Sequence, residues 1–148
     1  MHIIRYNDAK GAIESGRNLV KIVEPVLRKE VAQKGEWKPG TEIECSRIEY
    51  SLCKHGTREN LHYHKDTWEM YQVLEGELAV AAKCSDTAEY EKVVLQQNDI
   101  LMLPPQTPHI AKPGADNITQ VIQFPPDPEG KVVIEDAAEI KAAENVLE

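Results

Sequence analysis

The sequence contains no apolar stretch long enough to span a bilayer. Its longest runs, such as Val93-Val94-Leu95 and Ile100-Leu101-Met102-Leu103, fall far short of the ~20 residues that a membrane helix needs. It has no basic cluster either. Lys and Arg total 17 against 25 Asp and Glu, a formal net charge of −8, so neither nucleic acid nor an anionic membrane is expected as a partner. The N-terminus lacks the charged-then-apolar pattern of an export signal. The three cysteines, Cys45, Cys53 and Cys84, are odd in number and not at metal-finger spacing. Free thiols in a reducing compartment follow, and the cytoplasm is the expected location. Internal repeats and low-complexity tracts are absent as well.

What is present fits one domain over residues 1–148, with an ordinary soluble balance of 41% hydrophobic and 28% charged residues. The first forty residues admit two readings. Leu19, Ile22, Val23, Val26 and Leu27 have helical spacing, but Pro25 stands among them and costs a helix interior about 3 kcal/mol. An extended segment with an edge proline fits equally. From Thr41 onward the texture is strand-like. Short runs at Ile43–Cys45, Ile48–Leu52, Glu69–Leu74, Leu78–Ala81, Val93–Leu95, Ile100–Leu103 and Ile118–Phe124 are separated by turn signals such as Glu75-Gly76-Glu77 and Gln97-Asn98-Asp99. Many short strands joined by tight turns predict an all-β sandwich or barrel. Its core covers about residues 41–124. Beyond Pro125-Pro126-Asp127-Pro128, Asp136 and Glu139 form a capping-box pattern. One short helix is expected at about 136–147, packed on the outside of the strands.

The stretch from Gly56 to Gly76 carries the chemistry. His62 and His64 are two apart, so in a strand they point to one face, roughly 6.6 Å apart along it. Two imidazoles at that separation can lean toward one ion, with metal–nitrogen bonds of about 2.1 Å. Glu69 follows after enough chain to turn and begin the neighbouring strand, where its carboxylate could face both rings. His109 comes behind the rigid Leu103-Pro104-Pro105-Gln106-Thr107-Pro108. Singly, each of these is a commonplace surface or loop residue.

Together they resemble the first motif of the cupin superfamily, G-x5-H-x-H-x4-E-x6-G, with Gly56, His62, His64, Glu69 and Gly76 at all five fixed positions. Asn98 to Pro113 resembles the second motif, G-x5-P-x-G-x2-H-x3-N, imperfectly. Pro104 and His109 match, whereas Asn98 and Gln106 replace glycines and Pro113 replaces the final Asn. Asn tolerates positive φ. Gln106 implies a different turn or an outward side chain, and Pro113 removes a backbone donor.

The resemblance implies a small single-domain cupin, a jelly-roll barrel (double-stranded β-helix). It makes His62, His64, Glu69 and His109 the ligands of one divalent transition metal. Three neutral imidazoles and one carboxylate leave such an ion with net charge +1 and open positions. Mixed nitrogen and oxygen donors suit Fe, Mn, Ni, Co or Zn and disfavour Ca or Mg.

If Glu69 points inward, so do Tyr71 and Val73, which makes the Tyr71 hydroxyl a candidate catalytic or substrate-contacting group. The preceding strand offers the pocket either Arg47, Glu49 and Ser51 or Ile48, Tyr50 and Leu52. The last offers either Gln120 and Ile122 or Val121 and Gln123. Trp68 reads as hydrophobic cover at the barrel mouth, His55 as a turn residue, and Cys53 and Cys84 as small apolar packing groups.

The functional expectation is a mononuclear metalloenzyme acting on a small organic substrate by dioxygenase-type cleavage. A metal-dependent sugar or sugar-acid isomerase, epimerase or lyase uses the same ligands, and a non-catalytic small-molecule-binding cupin is the alternative outside catalysis. Pairing through a sheet edge or outer face predicts a homodimer.

Overall fold

Period-two alternation sets the architecture. In Trp68–Glu75 the residues Glu69, Tyr71 and Val73 are buried, while Met70 and Gln72 are only half-buried and Trp68 is exposed, the signature of a strand with one face on a core. The computed structural model describes residues 19–23, 47–53, 56–57, 59–83, 85, 87–125 and 130–148. Among them are ten strands: β1 (Leu19–Val23), β2 (Arg47–Cys53), β3 (His62–Tyr63), β4 (Trp68–Glu75), β5 (Leu78–Lys83), β6 (Tyr90–Leu95), β7 (Ile100–Leu103), β8 (His109–Pro113), β9 (Asn117–Phe124) and β10 (Val132–Val133). One helix, α1 (Ala137–Leu147), follows.

The strands form two antiparallel five-stranded sheets, β1-β2-β9-β4-β7 and β10-β3-β8-β5-β6. From β3 to β5 and again from β7 to β10 the chain alternates between the sheets, the jelly-roll arrangement. The all-β expectation holds. Among the described residues the hydrogen bonding forms two facing sheets and no closed ring, so of the expected sandwich or barrel the jelly roll takes the two-sheet form.

Of the two readings for the first forty residues, Leu19–Val23 is extended and pairs with β2. Val26, Leu27, Ile43, His2, His55, Cys45 and Cys84 lie outside the described residues.

Tyr71, Val73, Leu78, Val80, Leu95, Leu103, Ala111 and Val121 fill one part of the space between the sheets. A second cluster joins Leu61, Ala79, Ala81 and Ile110 of the histidine-bearing sheet to Ala143 and Leu147 of α1, which places the helix on the outer face of that sheet. Asp136 caps α1 as expected, its Oδ1 accepting from Glu139 N at 2.8 Å. Glu139 does not complete a capping box. Its Oε1 accepts instead from Lys83 Nζ at 2.8 Å and Tyr90 hydroxyl at 3.1 Å, tying α1 to β5 and β6. The Lys83 bond holds the Glu139 carboxyl below its ordinary value. Burial and the Glu139 carboxylate push the Tyr90 hydroxyl up.

The departures from the second motif are absorbed locally. Asn98 (φ 74°) and Gln106 (φ 61°) keep the left-handed backbone that glycine would supply. The Gln106 side chain is exposed, and its N–H donates to His64 O at 2.7 Å. Pro113 pairs with Leu78 and ends β8.

Candidate metal centre

Two cross-strand pairs face one another from opposite layers. In one sheet His62 of β3 stands opposite His109 of β8. In the other, Glu69 of β4 stands opposite Gln123 of β9. His64 follows β3 directly and turns to the same interior. The Pro104–Pro108 turn is pinned by Gln106 N to His64 O, and Pro108 O accepts from Lys83 N at 2.9 Å, which delivers His109 into the space between the sheets.

All four predicted ligands are therefore brought together and buried, Glu69 at 4% exposure and His109 at 1%. One donor atom from each lies within 4.8 Å of the others. The ring centroids of His62 and His109 are 4.3 Å apart, and those of His62 and His64 5.3 Å.

Hydrogen bonds fix the tautomers. His62 Nδ1 lies 2.7 Å from Asn60 O and His109 Nδ1 lies 2.8 Å from Thr107 O. A carbonyl only accepts, so both Nδ1 atoms carry the proton and donate it. In the neutral rings, lone pairs are left on Nε2. His109 Nε2 sits 2.9 Å from Glu69 Oε2 and is buried without a hydrogen bond of its own. Two bare acceptors at that distance repel unless a cation, proton or metal, lies with them. This donor set of imidazole nitrogens and one carboxylate oxygen fits a divalent transition metal.

The electrostatics agree. Burial and the neighbouring His109 lower His62 to about 4, against the opposing Asn60 hydrogen bond, so its ring is neutral at pH 7. Burial alone would raise Glu69, yet a proton shared with His109 or His64, as hydrogen bond and as positive charge, holds its carboxyl well below the usual range. It is ionised.

Tyr71 and Gln123 steady that carboxylate. The Tyr71 hydroxyl donates to Glu69 Oε2 at 3.0 Å and Gln123 Nε2 donates to Oε1 at 2.9 Å. Beside the cluster lies a cavity of about 320 Å³, lined by Ser51, Glu59, His62, His64, Glu69, Tyr71, Val121, Gln123, Gly130 and Lys131. Among the described side chains, the open choices narrow as follows. Val121 and Gln123 face inward on β9, and Ser51 marks the inner face of β2. Trp68 is not a cover for the mouth, because alternation turns it to the outer face, where it is 40% exposed. Gln123 escaped the sequence reading as a site residue. Only its register opposite Glu69 identifies it.

A TehB-like domain model matches residues 52–122. No curated protein matches the chain in sequence. Among solved structures, a cupin-2 domain containing protein from Shewanella frigidimarina is 17% identical, with a TM-score of 0.57 over 81% of this chain and 92% of that one. Oxalate oxidase in complex with the substrate analogue glycolate is 18% identical, TM-score 0.58, over 78% of this chain and 54% of that one. DMSP lyase DddQ from Ruegeria pomeroyi is 18% identical, TM-score 0.50, over 60% of this chain and 43% of that one. The chain has the cupin fold, the double-stranded β-helix.

Proposed function

We propose that His62, His64, Glu69 and His109 hold one divalent transition metal and that the protein is a small mononuclear metalloenzyme acting on a small organic substrate by dioxygenase-type cleavage. The convergence of these buried donors on one point, with the His62 and His109 tautomers set by Nδ1–H donation, carries the reading. A bound ion would supply Lewis acidity and open positions for substrate. The protein's own part is orientation. Tyr71 and Gln123 keep Glu69 turned toward the histidines, and the cavity of about 320 Å³ admits only a small molecule. The likeness to oxalate oxidase supports chemistry on a small oxygen-rich acid.

Proton-transfer chemistry, as in a lyase or isomerase, is the second reading. The Tyr71 hydroxyl favours it, since it lines the cavity where a substrate would sit and can exchange a proton there. Oxygen separates the two. Metal-loaded protein given a panel of small hydroxy acids, keto acids and sugar acids should turn over substrate in air and stop under strict anaerobiosis. Complete anaerobic turnover would exclude the oxygenase.

A cytoplasmic homodimer completes the proposal. Trp68, Ile100 and Met102 expose an apolar strip on the outer face of the Glu69-bearing sheet, and β7 is the edge strand of that sheet among the described residues.

A further inference from the structure

We infer that Gln123 is a positioning residue that limits Glu69 to a single bond with the metal: Glu69 gives the ion Oε2, and the Gln123 amide holds Oε1 away from it. The inference rests on the metal-site reading above and extends it. The two carboxylate oxygens have different surroundings. Oε2 lies 2.9 Å from His109 Nε2 and 3.5 Å from His64 Nε2, so the histidine donors gather at this oxygen. Oε1 accepts from Gln123 Nε2 at 2.9 Å. A carboxylate accepts and cannot donate, so the amide must turn its nitrogen to Glu69.

That amide is hard to displace. Gln123 of β9 stands directly opposite Glu69 of β4, and cross-strand pairing fixes its reach. The two side chains are 7% and 4% exposed. In such surroundings an N–H bond to an ionised oxygen is stronger than in water. Turning the carboxylate until both oxygens met the ion would draw Oε1 off the amide. Tyr71 offers no such restraint on Oε1, because its hydroxyl donates to Oε2 at 3.0 Å.

The consequence is a count of open positions. Three imidazoles and one carboxylate oxygen supply four donors. An ion that takes about six then keeps about two positions for water or substrate, and a carboxylate bound through both oxygens would leave about one. Gln123 thereby decides whether a ligand grips the ion by two atoms. An apolar side chain in its place would deprive a buried, ionised oxygen of its amide donor, which is costly. The ion is the cation within reach, so Oε1 should then turn to it.

The test uses cobalt(II)-loaded protein, with cobalt content measured in every sample, and Gln123→Met, which keeps the side chain unbranched and of similar length but removes the amide. Crystals of the wild type should show Oε2 at about 2.0–2.2 Å from the ion and Oε1 outside bonding distance. In Gln123→Met both oxygens should be bonded. In solution the probes are azide, which binds through one atom, and acetohydroxamate, which binds through two. The affinity for acetohydroxamate relative to azide should fall about tenfold or more in Gln123→Met. A Gln123 that only stabilises the site would weaken cobalt and both probes together. An unchanged ratio, or a variant that keeps the one-oxygen bond, therefore overturns the inference. So does a wild-type ion bound through Oε1 or through both oxygens, which leaves the metal site standing. Should Gln123→Met fail to fold or to hold cobalt, Gln123→Asn, whose shorter amide falls short of Oε1, takes its place with the same expectations. If neither holds cobalt, the wild-type crystal decides alone. Failure of wild-type protein to bind cobalt or any other divalent transition metal refutes the metal-site reading and this inference with it.

Discussion

His109→Ala should yield a folded protein that has lost nearly all of its bound metal. The side chain supplies one of four converging donors and is almost completely buried. Outer-sphere changes alone typically weaken metal sites by roughly 10–100-fold, so losing a ligand should weaken this one by at least about a hundredfold. The fold should survive, because the apolar cluster of Tyr71, Val73, Leu78, Val80 and Leu95 does not include His109. The wild type should show one metal per chain by elemental analysis. Its melting temperature should rise on metal addition, since a ligand at a hundred times its dissociation constant stabilises the native state by about 2.7 kcal/mol. The variant should show neither. Near-stoichiometric metal in His109→Ala would remove that histidine from the ligand set.

Gly76→Ala should be the more damaging of two substitutions that look alike in sequence. Gly56 and Gly76 both have left-handed φ, 80° and 81°, which costs a side-chain-bearing residue about 1–2 kcal/mol. Their surroundings differ. A Cβ on Gly56 meets nothing within 4 Å, whereas one on Gly76 would lie 2.8 Å from Asp116 O and 2.9 Å from Asn117 Cβ. Those neighbours cannot easily give way. Asn117 Nδ2 donates to Glu77 O at 2.9 Å and its Oδ1 accepts from Thr119 Oγ1 at 2.9 Å, locking the β4–β5 turn to the start of β9. Gly76→Ala should therefore lose about 3–5 kcal/mol of unfolding free energy and Gly56→Ala about 1. Denaturant titration compares them, and equal losses would show that the backbone at residues 116–117 yields after all.

The ligand residues were legible because Gly56, His62, His64, Glu69 and Gly76 together match the full spacing of the cupin motif, although each is commonplace singly. Local turn chemistry was legible too, as at Asn98 and at the Asp136 cap. Less legible was anything decided by pairing between distant strands. In β9 both alternating faces mix polar and apolar residues, so nothing in Asn117–Phe124 says that Gln123 rather than Gln120 faces the cavity. That follows from its register opposite Glu69. The same limit explains Glu139, whose spacing suggests a capping box but whose carboxylate finds a stronger partner in Lys83, 56 residues away. Trp68 misled because hydrophobicity beside a ligand suggests a lid, while strand alternation sends it to the opposite face.

Anomalous diffraction at the absorption edge of the bound metal tests the metal centre most directly. A single peak should appear between the two sheets, about 2.0–2.2 Å from one nitrogen each of His62, His64 and His109 and from one Glu69 oxygen. A metal-loaded crystal whose peak lies elsewhere, or whose His109 ring turns away from the ion, would contradict it.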